Sequence, residues 1–170
     1  MEGRGVKQDV MSFSAAISAC GKEGRWEKAL ELINSMEGRG VQPNVITFSA
    51  AIRACEKGEQ WEKALELFNL MEGRGLKLGV ITFNAAISAF EKSRQWEKAL
   101  GLFNSMEGRG VQPDVITCNA TISACEKGGQ WEKALELFDS MEGRGLKPNV
   151  ITFSAAISAC EKGEQWEKAL

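Results

Sequence analysis

The chain has 170 residues, 44% hydrophobic and 26% charged, with 21 basic against 23 acidic side chains and a net charge of −2. That balance excludes the basic footprint of a duplex-DNA binder. The absence of histidine removes the commonest general base, the His-based nucleophile pairs and every His-containing metal site. No apolar run approaches the roughly 18 residues of a membrane span, so no membrane partner is expected, and no secretory or transit signal is visible.

Residues 1–9 read as the tail of a repeat unit. Gly3-Arg4-Gly5 copies a Gly-Arg-Gly that returns at 38, 73, 108 and 143, in steps of 35 residues. Trp26, Trp61, Trp96, Trp131 and Trp166 step identically. A fixed period of this size means an array of stacked units. Whole units fall at 10–44, 45–79, 80–114 and 115–149, and 150–170 holds a first helix plus the opening of a second.

Within 45–79, Phe48, Ala51, Ile52 and Cys55 are spaced i, i+3, i+4, i+7 and predict one face of a first helix of about twelve residues. Gly58 breaks that pattern. Trp61, Ala64, Leu65, Phe68 and Met71 predict the stripe of a second helix of about fourteen residues. Gly73-Arg74-Gly75 ends it, because glycine takes the left-handed conformation that helix C-termini favour. Pro43, Pro113 and Pro148 then keep the linker extended. One hairpin cannot bury both stripes alone, so the expected fold is an all-α solenoid of stacked antiparallel helix-turn-helix repeats. The pattern stops mid-helix at Leu170, as part of a longer array would, or one capped by another molecule.

Cys20, Cys55, Cys125 and Cys160 share one repeat position that Phe90 fills in the third unit, which marks a packing site rather than a redox or metal centre. No C-x-x-C occurs, so no metal or cofactor is implied. The tryptophans lie on the second-helix stripe and read as core. Nothing in the sequence converges into an unrepeated catalytic cluster, and no enzyme is expected.

Three features carry a resemblance. A Val-x-Thr-aromatic opening stands at Val45, Thr47 and Phe48; the second helix carries Ala-Leu-Glu-Leu-Phe at 64–68; and the unit ends as Met141-Glu142-Gly143-Arg144-Gly145-Leu146-Lys147-Pro148-Asn149. With its 35-residue period the chain resembles the pentatricopeptide repeat family in its P-type form. The resemblance implies a right-handed superhelix whose first helices line a concave groove for single-stranded RNA, one nucleotide per repeat. It implies base selection by Ser14, Ser49, Asn84, Asn119 and Ser154, together with the last residue of a unit, Asn44, Gly79, Asp114 or Asn149, and Asp9 before them. Met11, Ile46, Ile81, Ile116 and Ile151 would sandwich the bases. Lys22, Lys57, Lys92, Lys127 and Lys162 would meet phosphates.

By the family's pairing, Ser14 with Asn44 implies adenine, Asn84 with Asp114 uracil, and Asn119 with Asn149 a pyrimidine. Ser49 with Gly79 departs from the pattern, so the implied site is 5′-A-N-U-(C/U)-3′. A role in RNA processing in a chloroplast or mitochondrion follows from the same resemblance, which also leaves room for further repeats or an effector domain beyond this stretch. Other readings of these residues stay open. Asn44, Asp114 and Asn149 suit helix caps. The isoleucines could contact the adjacent unit, and the lysines suit helix C-termini. The alternative function is a scaffold of tetratricopeptide type that grips a peptide on the same surface.

Overall fold

Apolar stripes at helical spacing bury themselves only by pairing, and the period decides with what. The computed structural model describes residues 2–164, with side chains from Asp9 onward. Among the described residues the chain forms nine α-helices and no strand. They are α1 (Glu2–Glu23), α2 (Trp26–Gly38), α3 (Val45–Lys57), α4 (Trp61–Gly73), α5 (Val80–Lys92), α6 (Trp96–Gly108), α7 (Val115–Lys127), α8 (Trp131–Gly143) and α9 (Val150–Lys162). From α2 onward every helix has 13 residues, so first and second helices match in length where twelve and fourteen were expected. The architecture is an all-α helical-repeat solenoid.

The chain divides into two compact units, Met1–Ala89 and Phe90–Leu170. In the first, α3 packs on its hairpin partner α4 and also on both helices of the preceding repeat, α1 and α2. In the second, α7 packs on α6, α8 and α9. The predicted stripe of α3 is buried in full: Phe48, Ala51, Ile52 and Cys55 all lie in the core. On α4 the core residues are Ala64, Leu67, Phe68 and Met71, while Leu65 and Trp61 are half-buried. Leu67 therefore takes the place expected of Leu65. Phe68 meets Phe83 edge to face at 5.1 Å, an arrangement that favours the positive ring edge against the negative face.

One expectation fails at the start. Helix α1 runs unbroken from Glu2, so Gly3-Arg4-Gly5 lies inside a helix rather than ending one. Gln8 stands where Pro43, Pro113 and Pro148 stop the chain elsewhere, and glutamine does not forbid helix. Leu78 also replaces the proline, but there the turn survives because the Leu76 amide donates to the Met71 carbonyl at 3.0 Å.

The helix ends carry a second correction. Gly75 does take the left-handed conformation (φ 67°), as its place after α4 predicts. Gly58 does not: its φ is −84°, and the left-handed residue is the next one, Glu59 (φ 57°). Gly58 is needed for space. A Cβ there would lie 2.3 Å from Cδ1 of Trp26, and one on Gly128 would lie 2.3 Å from Cδ1 of Trp96. Trp26, Trp96 and Trp131 each open a second helix and lay the indole on the end of the next repeat's first helix. Trp166 lies outside the described residues.

The left-handed position is held by glycine at Gly24 and Gly129 but by side chains at Glu59, Arg94 and Glu164. An L-residue with a Cβ is strained there by about 1 kcal/mol. Arg94→Gly is therefore expected to stabilise the chain by about 1 kcal/mol, raising the thermal midpoint by about 3 °C for a chain of this size. An unchanged or lower midpoint would show that the added freedom of the unfolded chain cancels the relieved strain.

Candidate nucleic-acid interface

The interface is built from the opening turns of the first helices. Asn44, Asp114 and Asn149 each precede one, in extended conformation, and each forms a two-way cap with the threonine three residues on. The Thr47 amide donates to Asn44 Oδ1 at 3.0 Å and the Thr117 amide to Asp114 Oδ1 at 2.8 Å. In return the Asn44 amide donates to Thr47 Oγ1 at 3.3 Å and the Asp114 amide to Thr117 Oγ1 at 3.1 Å. The capping reading of these residues thus holds, and each cap uses mainly Oδ1.

The same threonines reach backwards. Ser14 Oγ lies 3.3 Å from Thr47 Oγ1, and Ser49 Oγ lies 2.8 Å from Thr82 Oγ1. Thr152 Oγ1 donates to Asn119 Oδ1 at 2.6 Å, and Asn119 Nδ2 donates to Asn149 Oδ1 at 3.2 Å. Each of these first-helix polar residues is therefore tied to the threonine of the following repeat. Thr47, Thr82, Thr117 and Thr152 are all buried, so an unmade hydroxyl bond would be costly there. Ser154, on the last described first helix, turns its hydroxyl to the Val150 carbonyl at 2.8 Å instead. Asn84 lies half-buried on α5, and Asp9 lies exposed inside α1 rather than before it.

Beside these polar groups stand the expected stacking residues. Met11 is 67% exposed, Ile46 63%, Ile81 61%, Ile116 61% and Ile151 63%. Large aliphatic side chains thus recur about two-thirds exposed at one position, off the stripe that the fold buries, a pattern suited to contact with a ligand.

The lysines differ from expectation in their surroundings. Lys127 forms an ion pair with Glu91, and Lys162 Nζ lies 2.6 Å from Glu126 Oε1. Lys57 Nζ donates to the Lys22 carbonyl at 2.6 Å, the end of the preceding first helix. Lys92 also has a partner. These cations therefore spend much of their field within the protein. The arginines of Gly-Arg-Gly are likewise structural. Arg74 lies 2.7 Å from Glu37, an ion contact bent off the line of a hydrogen bond, and its guanidinium sits 5.3 Å from the Phe48 ring centre. Arg144 pairs with Glu107.

The cysteines are buried and free, and burial pushes the Cys55, Cys118 and Cys125 thiols up to about 11, which keeps them neutral and unreactive. Among the described residues no group of acidic, Cys or His side chains could hold a metal ion.

The profile of the PPR repeat family matches residues 8–57, 78–127 and 113–162, and that of the PPR repeat matches 46–76. The chain belongs to the pentatricopeptide repeat family. No curated protein sequence matches it. Among solved structures, this pentatricopeptide repeat chain is similar to the PPR domain of Arabidopsis thaliana protein-only RNase P 1, solved in complex with tRNA. The TM-score is 0.83 at 17% identity, over 95% of this chain and 85% of that one. It is also similar to the pentatricopeptide repeat protein PPR10 from maize, with a TM-score of 0.72 at 28% identity over 94% of this chain. The structure of PPR10 with an 18-nt psaJ RNA element gives 0.79 at 24% identity. The chain spans 23% of the PPR10 chains.

The buried threonines are the interface residues that sequence reasoning passed over as mere family markers. Their signal was present: Asn44-x-x-Thr47, Asp114-x-x-Thr117 and Asn149-x-x-Thr152 have the spacing of a reciprocal cap.

Proposed function

We propose that this chain binds single-stranded RNA, one nucleotide per repeat, as a binding protein of organellar RNA processing without catalytic chemistry of its own. The observation that carries the reading is the exposed isoleucine repeated beside a fixed polar pair. The RNA-bound states of PPR10 and of the RNase P domain support it by likeness of fold. The organellar setting rests on family resemblance.

The hydrogen-bond directions support the base assignments. Thr47 has one hydroxyl proton. Given to Asn44 Oδ1 at 3.0 Å, it leaves Thr47 Oγ1 an acceptor, so Ser14 must donate inward. Ser14 then offers lone pairs and Asn44 offers its Nδ2 protons. One acceptor and one donor suit the amino group and ring nitrogen of adenine, an edge cytosine shares and uracil lacks. Asp114 brings a carboxylate, an acceptor that suits the ring N–H of uracil.

Fluorescence anisotropy with short RNAs carrying 5′-A-N-U-U-3′ or a scrambled order, at two salt concentrations, tests this. The ordered RNA is expected to bind about tenfold tighter, worth about 1.4 kcal/mol. Equal, salt-sensitive binding of both would keep RNA and discard the base assignment. No binding at either salt concentration would overturn the reading in favour of a peptide ligand.

A further inference from the structure

The second repeat breaks the pattern at Gly79 and Arg53, the first at Gly21, and the three lie together. Gly79 brings no side chain where its counterparts are Asn44, Asp114 and Asn149. Arg53 stands where the other copies have Ser18, Ser88, Ser123 and Ser158. Gly21, in the first repeat, stands where later first helices carry Glu56, Glu91, Glu126 and Glu161, and Lys77 adds a cation at a position that is also lysine at Lys7 and Lys147 and glutamine at Gln42 and Gln112. A cavity of about 580 Å³ opens in the first unit between Ile46 and Ile81. Lys22, Arg53 and Lys77 line it along with Gly79, and no carboxylate does. None of these three cations has an ion-pair partner among the described residues. In the second unit, by contrast, Glu91 and Glu126 take up Lys127 and Lys162. The glutamate that would do the same for Lys57 is Gly21, whose missing side chain lets α1 approach α3: a Cβ there would lie 2.7 Å from the Ala50 carbonyl oxygen.

The polar floor of this slot also differs. Ser49 and Thr82 share a hydrogen bond at 2.8 Å. At Thr47 the neighbouring Asn44 oxygen fixes which hydroxyl donates. At Thr82 there is no such oxygen, since only the Gly79 backbone precedes it, so either hydroxyl can carry the shared proton. Ser49 can therefore offer a base either a donor or an acceptor.

We propose that the slot between Ile46 and Ile81 is an anchor subsite that takes any base and holds its nucleotide by the phosphate through Lys22, Arg53 and Lys77. The proposal rests on the RNA-binding reading above and assigns it a division of labour. The first, third and fourth repeats select, and the second secures the strand by charge.

The test uses the full chain and RNAs of sequence 5′-A-N-U-U-3′ with each of the four bases at N. The four are expected to bind within about twofold of one another, about 0.4 kcal/mol. Arg53→Ser installs the residue of the other repeats at an exposed site, so folding is unaffected. It is expected to weaken every RNA about fivefold at low salt and to reduce the salt slope by about 0.7, one phosphate contact on a single strand. Gly79→Asn is expected to create a preference for adenine at N. A fivefold or larger preference at N in the unaltered chain, or an unchanged slope in Arg53→Ser, overturns the anchor while RNA binding stands. If scrambling the A and U positions has no effect but Arg53→Ser lowers the slope, the base assignment falls and the anchor survives. Absence of all RNA binding at low salt removes both.

Discussion

Phe48→Ala is expected to lower the unfolding free energy by about 4 kcal/mol, and Phe153→Ala by less than about 1 kcal/mol. The two residues occupy the same repeat position. Phe48 is fully buried on α3, which packs against α1, α2 and α4, and its ring face receives the Arg74 guanidinium. Removing the ring takes away its transfer energy, leaves a cavity between four helices and strands Arg74 over empty space. Phe153 is 50% exposed and touches Phe138 edge-on at 5.4 Å, so its truncation leaves little void. Urea unfolding of both variants gives the comparison. Similar losses at the two sites would mean that the position, rather than its burial, sets the cost. A loss at Phe48 below about 2 kcal/mol would mean that the helices collapse into the space.

Thr152→Val is expected to cost about 2 kcal/mol and to change base preference as well. Valine keeps the shape and removes the hydroxyl. The Asn149 amide then loses an acceptor at 2.9 Å, and Asn119 Oδ1 loses its donor at 2.6 Å. Asn119 is only 8% exposed, so its carbonyl cannot recover a full partner from water. Its amide, no longer oriented from below, would lose the discrimination expected at the fourth base, measurable as a convergence of affinities for the two pyrimidines and the two purines there. Retained discrimination with lost stability would show that Asn149 alone orients the amide. Neither effect would mean that the threonine hydroxyl is dispensable to both.

How legible this molecule was in its sequence depends on how far each feature reaches. Phe48, Ala51, Ile52 and Cys55 could be placed in the core because their spacing is local and the helix repeats every 3.6 residues. The exposed isoleucines were legible for the same reason, lying off that stripe. Leu67 displaced Leu65 because a helix wedged between several neighbours buries a wider face than one stripe. Gly58 was read as a helix breaker when its cause is Trp26, a residue in the preceding repeat. The lysines were found in the right place but with the wrong surroundings. Glu91 and Lys127 are 36 positions apart, one more than the period, so only the stacking of helices reveals the pair. Helix α1 misled because the copied glycines describe a turn only when something else stops the helix.

The ties from Ser14 to Thr47, Ser49 to Thr82 and Asn119 to Thr152 all cross from one repeat into the next. The segment proposed to read a base is thus offset from the segment that recurs in the sequence, as a brick course overlaps the joints below it. Anyone cutting and rejoining such arrays at the 35-residue boundary separates Ser14, Ser49 or Asn119 from the threonine that holds it. Each tie spans 33 residues, so grafts should instead be joined just after the threonine, as between Thr47 and Ser49, where each side chain travels with the hydroxyl beneath it.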